Sequence, residues 1–389
     1  MNKKKLLITA LVLAVLAALV YFQVRTWRKF DWHRFWLATG HTQKGYLLLG
    51  VALVYLDYFL RAVRWKILLR PVKKVKALRL LPSTMIGFTG LALLGRPGEF
   101  IRPYLIARKE NLSMASQVAV WTVERIFDMG AFALIMAINI LWSASTLKQL
   151  PGFAEGGTRS IGKLQISSFG AFEISGIGLL CVVALVAWLA FSIRKNPARA
   201  ARFAERVFGG ISAKFGKAVA HRVQAFGEGL NTVQDLKSFF QLSGLSLLIW
   251  LIIGFAYVAV THAYRIHRLQ RLTLSSVLLL TAASVVGGIL QLPVVGGGSQ
   301  LATIGTLRGV FNLSPELSIS CGMMLWLVTF MSVIPAGLLL ARNEHVSIIH
   351  LEKESVQEEE KLEAQGDASP DPLPSAPKEN APPPDKWIH

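Results

Sequence analysis

Seven long apolar runs constrain this chain more than any other feature of its sequence. They are Leu6–Phe22, Tyr46–Leu60, Gln117–Trp142, Gly170–Ile193, Leu242–His262, Leu272–Leu292 and Leu317–Ala341. Each is long enough, or nearly so, to cross a hydrocarbon core of about 30 Å. One such run can be a buried helix of a soluble protein, but seven in one chain cannot. The runs predict an all-α polytopic membrane protein with about seven or eight transmembrane helices and one or two re-entrant hairpins.

Charge divides the chain into a membrane domain and a tail. Residues 342–389 contain 5 basic and 11 acidic residues, a net charge of −6, whereas residues 1–341 contain 37 basic and 12 acidic residues, or +25. The tail is rich in proline and poor in large apolar residues, so it cannot bury a core. We therefore expect an integral membrane domain over residues 1–341 and a disordered acidic tail over residues 342–389.

The basic residues lie between the apolar runs rather than on a soluble domain, which argues against nucleic acid as a partner. Lys and Arg beside membrane spans usually mark the cytoplasmic side. Lys3, Lys4 and Lys5 precede the first run and so predict a cytoplasmic N-terminus. Residues 194–240 are then a basic cytoplasmic segment. We expect a multi-pass protein of the bacterial inner (plasma) membrane.

Apolar residues recur at helical spacing inside that basic segment. They are Phe203, Val207, Phe208, Ile211 and Phe215. This pattern is typical of a helix that lies on a membrane surface. A cytoplasmic helical hairpin that packs on itself fits the pattern equally well.

A shorter apolar stretch, Leu80–Leu94, contains one proline and two glycines and is followed by Gly95. If it crossed the membrane completely, the large basic segment would lie outside the cell, against the positive-inside rule. A re-entrant hairpin removes the conflict. Broken backbone at membrane depth is tolerated only where protein or a water-filled cavity satisfies its polar groups. The stretch therefore indicates a cavity.

Two segments, Leu80–Ala107 and Leu278–Leu307, are alike in outline. Each passes from an apolar stretch through glycines and a Pro/Gly breaker to a polar residue, Glu99 or Gln300. Paired broken segments in the two halves of a membrane protein are typical of a transporter's midplane site. Chance resemblance between glycine-rich apolar stretches is the alternative.

The stretch Gly95–Tyr104 combines glycines and prolines with Arg96, Glu99 and Arg102. Glycines allow backbone to approach a ligand, and the planar guanidinium of arginine suits phosphate. These three charged residues are candidate substrate-binding residues. The alternative is a charged turn at the membrane surface in which Glu99 neutralises its neighbours.

A second group of candidates, Glu124, Arg125 and Asp128, lies within an apolar run. Glu124 and Asp128 are four residues apart and share a helix face, and Arg125 is positioned to pair with Asp128. Charges in hydrocarbon cost at least about 2.5 kcal/mol each, so they face an interior and are functional by default. A purely structural ion-pair cluster is the alternative.

Two further groups complete the candidate substrate-binding residues. Arg61 and Arg64 follow Asp57 on one predicted helix, where Arg61 suits an i,i+4 pair and Arg64 a topogenic anchor. Gly296, Gly297 and Gly298 precede Gln300, and consecutive glycines either present N–H groups to an anion or form a tight helix–helix contact.

The sequence lacks the motifs of familiar enzymes. It has no Gly-x-Ser-x-Gly elbow, no phosphate-binding loop, no His-Glu-x-x-His and no Cys/His ligand set. Cys181 and Cys321 lie in apolar runs and are expected to be small buried residues. We expect no catalytic residue, no metal and no cofactor.

Three motifs together resemble the transmembrane domain of lysylphosphatidylglycerol synthase/flippases, a family that includes stand-alone flippase-like proteins. They are Leu60-Arg61-Ala62-Val63-Arg64-Trp65, Gly95-Arg96-Pro97-Gly98-Glu99-Phe100-Ile101-Arg102-Pro103-Tyr104 and Val123-Glu124-Arg125-Ile126-Phe127-Asp128. The resemblance covers roughly residues 5–341 and implies a helical bundle that binds or translocates lipid, often an aminoacylated or glycosylated one.

Two departures from the family pattern limit what the resemblance implies. The family's last glycine motif is usually followed by a glutamate, whereas Gln300 stands here. Full-length synthases also carry a soluble aminoacyl-transferase domain, whereas this chain has only the predicted tail. Lysyl transfer is therefore not implied.

These patterns predict a lipid flippase or lipid-binding transport protein acting on an anionic or head-group-modified phospholipid or a lipid-linked intermediate. In that hypothesis Arg96 and Arg102 receive a phosphate, the carboxylates balance charge or meet a cationic head group, and Arg125 holds Glu124 and Asp128. The alternatives are a membrane-embedded transferase and an accessory subunit of such an enzyme. Membrane phospholipid is the expected partner, with a partner enzyme or a second copy of the chain left open.

Overall fold

The computed structural model describes residues 31–154, 158–161, 164–167, 196–210, 236–289, 297–344 and 353–357, together with residues 170, 174, 177–178, 181, 184–185, 216 and 351. The predicted spans Leu6–Phe22 and, for the most part, Gly170–Ile193 lie outside the described residues. Most of the described residues are helical. The prediction of an all-α polytopic membrane protein is confirmed.

The helices are numbered in chain order. They are α1 Trp32–Gly40, α2 Lys44–Leu69, α3 Ala77–Leu94, α4 Ile101–Glu110, α5 Met114–Trp142, α6 Ala144–Lys148, α7 Pro151–Ala154, α8 Pro197–Gly209, α9 Leu236–His262, α10 His267–Gln270, α11 Leu274–Ile289, α12 Gly297–Gly309, α13 Pro315–Trp326 and α14 Val333–Asn343. A 3₁₀ helix, Arg96–Phe100, joins α3 to α4. The short strands β1 Thr158–Ile161 and β2 Leu164–Ser167 pair antiparallel.

Five of the described helices are long and apolar enough to cross a membrane. They are α2, α3, α5, α9 and the continuous stretch Pro315–Asn343, which joins α13 to α14 through one π-helical turn, Leu327–Met331. The helix α11 is apolar but shorter. Charged residues such as Glu124 and Asp128 therefore lie within candidate membrane spans, as their surrounding apolar runs predict.

The chain divides into two compact units, each described here by itself. Unit 1 comprises residues 1–51, 139–173 and 254–329, and unit 2 comprises residues 52–138, 174–253 and 330–389. In unit 1, α11 packs on α12 and α13 packs on α1. In unit 2, α3 packs on α4 and on α14.

Helices α3 and α4 form a helical hairpin in unit 2. Contrary to the sequence interpretation, Pro82 and the two glycines do not break the first limb, because α3 runs continuously to Leu94. The break falls at Gly95, whose φ of +73° is a conformation that glycine adopts freely. With about 27 Å of length, α3 nearly matches the hydrocarbon core. The chain then turns and α4 packs back against α3.

Glycines allow the two limbs of this hairpin to approach each other. A Cβ atom added at Gly98 would overlap the backbone of Gly90 and Leu91, and one added at Gly87 would overlap the Cβ and Cα atoms of Arg102. The position of Arg102 therefore depends directly on glycine at position 87.

Helices α11 and α12 form the corresponding pair in unit 1. A Cβ atom added at Gly287 would overlap the carbonyl group of Gly298, and the hydroxyls of Ser284 and Ser299 lie 2.6 Å apart. The predicted likeness between the two broken segments therefore extends to close glycine contacts between paired helices. The glycine motif suits either an anion-binding loop or a tight helix–helix contact. For Gly298 the structure favours the helix–helix contact.

The hairpin packing predicts the effect of one substitution. Gly98→Ala is expected to lower the free energy of unfolding by about 1–3 kcal/mol, because the added methyl group meets backbone that cannot move aside. Denaturant titration of the purified protein in detergent measures the loss. Gly130→Ala is the matched control, since nothing lies within 4 Å of its added Cβ. Equal stability of the two variants would contradict the described packing.

The beginning of the predicted disordered tail is ordered. Leu351 is only 1% exposed and packs with Ile86, Ile101 and Leu105, and residues 353–357 are helical. The Tyr104 hydroxyl donates a hydrogen bond to Glu354 at 2.9 Å, and Lys109 pairs with Glu344. Glu354 also lies 3.6 Å from Arg108 Nη1, so both glutamates have a basic partner on α4, which composition alone does not reveal. Residues 358–389 lie outside the described residues.

Candidate functional site

Arg64 lies at the centre of a buried ion-pair cluster in unit 2. Its side chain is fully buried, and it donates hydrogen bonds to Glu124 Oε1 at 2.6 Å and to the two carboxylate oxygens of Asp128 at 2.5 and 3.0 Å. The hydroxyl of Ser246 on α9 accepts another hydrogen bond at 2.9 Å. Glu124 and Asp128 face Arg64 together because their spacing of four residues places them on one side of α5.

Arg61 and Asp57 extend the cluster along α2. The Arg61 Nε atom lies 2.9 and 3.1 Å from the two carboxylate oxygens of Asp57, the predicted i,i+4 pair. Arg61 Nη1 also lies 3.7 Å from Asp128. Asp128 therefore joins the two arginines of α2.

Arg102 reaches the cluster from α4. Its Nη2 atom donates a hydrogen bond to Glu124 Oε1 at 3.0 Å, and its guanidinium group stacks 4.0 Å from the ring centroid of Trp65. Burial lowers the pKa of Arg102 to about 10 against the opposing effect of Glu124, so the group remains charged at neutral pH. Arg102 thus pairs with Glu124 and not with the nearby Glu99.

The buried charges of this cluster balance. Among the described residues, Arg61, Arg64 and Arg102 face three carboxylates, those of Asp57, Glu124 and Asp128, and all six residues are at most 7% exposed. Removing one partner from such a cluster leaves an uncompensated buried charge, which is strongly destabilising. Most of the cluster therefore serves first to hold α2, α4 and α5 together.

A pocket opens beside the cluster. It is small, with a cavity volume of about 20 Å³, and is lined by Gly87, Phe88, Leu91, Glu99, Arg102, Trp121 and Arg125. Of the six buried cluster residues, Arg102 alone belongs to this lining. Arg102 therefore connects the ion pairs to the pocket.

Two guanidinium nitrogens at the pocket have unused hydrogen-bonding capacity. The Nε atoms of Arg102 and Arg125 are buried, and neither has a hydrogen-bond partner among the described residues. Buried donors are normally satisfied, so such atoms require an explanation. Both arginines also line the pocket, so an anion there would lie beside two positively charged side chains.

Arg125 forms the predicted i,i+3 pair with Asp128, but it lies at the edge of the cluster. Its side chain is 39% exposed, and its Nη2 atom lies 3.8 Å from Asp128, a longer separation than either Arg64 contact. Its guanidinium group lies 5.9 Å from the ring centroid of Trp121. Arg64 performs the structural role, and its burial also contradicts the topogenic-anchor interpretation.

The remaining predicted site residues are placed differently. Glu99 lies in the 3₁₀ helix and lines the pocket, whereas the side chain of Arg96 in the same helix lies outside the described part of the chain. Gly297, Gly298 and Gln300 begin α12 in unit 1, and Gly296 lies outside the described residues. The structure thus brings Glu99, Arg102 and Arg125 to one pocket and places Arg61, Arg64, Glu124 and Asp128 in the cluster behind it.

Sequence reasoning missed the aromatic walls of this pocket. Trp121 precedes Arg125 by four residues and therefore shares its helix face, a signal that the sequence contained. Phe88 lies beside Gly87, and its ring is 5.6 Å from the Arg102 guanidinium. No local spacing relates α3 to Arg102, so that contact depends on the fold of the hairpin.

The comparisons with known proteins add one match. The family model described as "Lysylphosphatidylglycerol synthase TM region" matches residues 7–337 of the chain. The match includes α1 to α13 and the first half of α14, and with them every residue of the cluster and the pocket. No curated protein and no solved structure matches the chain.

Proposed function

The chain belongs to the family described as the lysylphosphatidylglycerol synthase TM region, and from this premise we propose that it is a lipid flippase or lipid-binding transport protein. Membership links a multi-pass membrane protein to lipid modification or transport. The proposed substrate is an anionic or head-group-modified phospholipid or a lipid-linked intermediate. The distribution of basic residues supports a bacterial inner-membrane location with a cytoplasmic N-terminus.

The observation that carries the proposal is the pair of arginines at the pocket. Arg102 and Arg125 both line it, and each has a buried Nε atom without a partner among the described residues. Guanidinium groups match the geometry of a phosphate and form charge-assisted hydrogen bonds with its oxygens. We assign the phosphate of the lipid head group to these two side chains, with Arg96 as a further candidate.

The rest of the lining suits the remainder of a lipid head group. Phe88, Leu91 and Trp121 provide apolar and aromatic surface, and Glu99 provides a carboxylate for a positively charged substituent. Glu124 and Trp65 both contact the guanidinium group of Arg102, so the position of this group is fixed before a ligand binds. Such preorganisation favours binding because less side-chain freedom is lost.

The two glycine-packed helix pairs support transport in particular. Broken segments in corresponding halves of a chain accompany substrate sites in secondary transporters. Here α3 with α4 and α11 with α12 are such segments, each within its own unit. Gln300 in the second pair carries no charge, so we place the recognition of head-group charge at the first pair.

The second candidate function is that of a membrane-embedded transferase. The position of Glu99 in the pocket lining favours it. Glu124 and Asp128 are both paired with Arg64 and are poorly placed to accept a proton. Among the described lining residues, Glu99 is the one carboxylate at the pocket. Product formation from phosphatidylglycerol and an aminoacyl-tRNA or sugar donor, lost in Glu99→Gln, would favour transfer over transport.

The test of transport is lipid movement in proteoliposomes. Phosphatidylglycerol labelled on an acyl chain keeps its native head group, and dithionite bleaching reports its passage between leaflets. We expect wild-type protein to accelerate this passage over protein-free vesicles. Arg125→Gln should slow it about tenfold or more, because one charge-assisted hydrogen bond to the phosphate is worth about 1.5–3 kcal/mol.

Arg308→Gln is the matched control for this experiment. Arg308 is an exposed arginine near the end of α12, so its removal changes net charge equally without touching the pocket. We expect the control to transport at the wild-type rate. Equal rates for Arg125→Gln and Arg308→Gln would refute the assignment of phosphate to the pocket, and no acceleration by wild type would refute transport itself.

A further inference from the structure

Helix α8 carries an exposed apolar stripe that has no role in the candidate site. Phe203 is 68% exposed and Val207, one turn later, is 50% exposed. Residues four apart lie on one face of a helix, so the two side chains form a continuous surface. Large apolar side chains exposed side by side indicate an interaction surface.

Basic residues border this stripe. Arg199, Arg202 and Arg206 are all exposed, against one acidic residue in the helix, Glu205. At about 100° per residue, Arg199 and Arg206 lie within about 60° of Phe203 around the helix axis. The guanidinium groups therefore flank the apolar stripe on one side.

Ala201, on the opposite face of α8, is buried. Ala201 is only 6% exposed, and two residues along a helix correspond to a rotation of about 160° between Ala201 and Phe203. Phe203 and Val207 thus lie on the face opposite the buried Ala201.

We infer that α8 lies on the anionic leaflet of the membrane that the protein spans. Phe203 and Val207 enter the boundary between head groups and acyl chains, while Arg199 and Arg206 bind lipid phosphates beside them. An apolar stripe flanked by arginines matches such a surface in both polarity and charge. Helix α8 belongs to the same unit as α3, a candidate span.

The experiment measures the depth of a spin label on α8 in the full-length protein. Cys181 and Cys321 are first replaced by serine and alanine, and Val207→Cys is then labelled in lipid nanodiscs. Ala198→Cys is the matched control, since position 198 is exposed, lies roughly opposite Val207 and leaves every arginine in place. Oxygen, which concentrates in lipid, and a water-soluble nickel chelate report the surroundings of each label.

In nanodiscs with phosphatidylglycerol we expect the label at position 207 to be severalfold more accessible to oxygen than to nickel, with the reverse at position 198. Replacing phosphatidylglycerol by phosphatidylcholine, or introducing Arg199→Gln with Arg206→Gln, should shift position 207 towards nickel accessibility. Nickel accessibility equal to that of position 198 in every lipid would overturn the inference. Protection from both reagents would overturn it in favour of a protein partner, and lipid contact independent of charge would overturn the anionic assignment.

Discussion

Arg64→Leu is expected to lower the free energy of unfolding by about 3–5 kcal/mol, the cost of removing one partner from a buried ion-pair cluster. Arg64 donates to Glu124 and Asp128 with both ends of its guanidinium group. Without it, the buried cluster contains three carboxylates and two arginines. The variant must therefore bury an uncompensated negative charge or loosen the packing of α2 against α5.

Denaturant titration in detergent, followed by tryptophan fluorescence, measures this loss. Arg70→Leu is the control, because Arg70 is exposed just after α2 and makes one 3.3 Å contact with Gln241. Exposed contacts of this kind are worth less than about 1 kcal/mol. If both variants were equally stable, Arg64 would not be the buried centre of the cluster.

A double variant separates charge balance from lost packing. Arg64→Leu with Asp128→Leu removes one charge of each sign and leaves the Asp57–Arg61 and Glu124–Arg102 pairs intact. We expect it to recover part of the stability lost in Arg64→Leu, since replacing a complete buried pair by apolar residues is often neutral. A double variant as unstable as the sum of the two single variants would contradict the charge-balance explanation.

Arg102→Gln is expected to reduce lipid transport to the rate of protein-free vesicles. Arg102 joins the cluster to the pocket, so its removal takes away a phosphate ligand and leaves Glu124 facing the site. The resulting negative charge would repel the head group that the pocket is proposed to bind. Acyl-labelled phosphatidylglycerol in proteoliposomes measures the rate per folded protein, with folding checked by gel filtration.

Arg61→Gln is the matched control for this prediction. Arg61 is buried like Arg102, 7% against 4% exposed, and belongs to the same cluster, but it does not line the pocket. We expect it to lose stability and to retain transport in its folded fraction. Arg102→Lys should transport at an intermediate rate, because lysine keeps the charge but not the planar fork. Similar transport by Arg61→Gln and Arg102→Gln would mean that Arg102 acts only through stability.

The spacing of residues along the chain determined the fold class of this protein and several of its side-chain pairs. The apolar runs required a helical membrane protein, because no soluble fold buries so many of them. Spacing of four residues placed Glu124 beside Asp128 and Asp57 beside Arg61. These relations hold within one helix, whose geometry is the same in any fold.

The tertiary structure alone decided which helices face each other. Arg64 meets Glu124 across 60 residues of chain, and Arg102 meets the same carboxylate oxygen across 22. Glu344 and Glu354 belong to a segment whose composition predicts disorder, yet they contact α4. The physical reason is that helix geometry sets neighbours within a helix, whereas partners between helices depend on which apolar faces pack together. Residues of α3, the 3₁₀ helix, α4 and α5 line the pocket. Its formation therefore depends on packing between helices and could not be predicted from spacing within one helix.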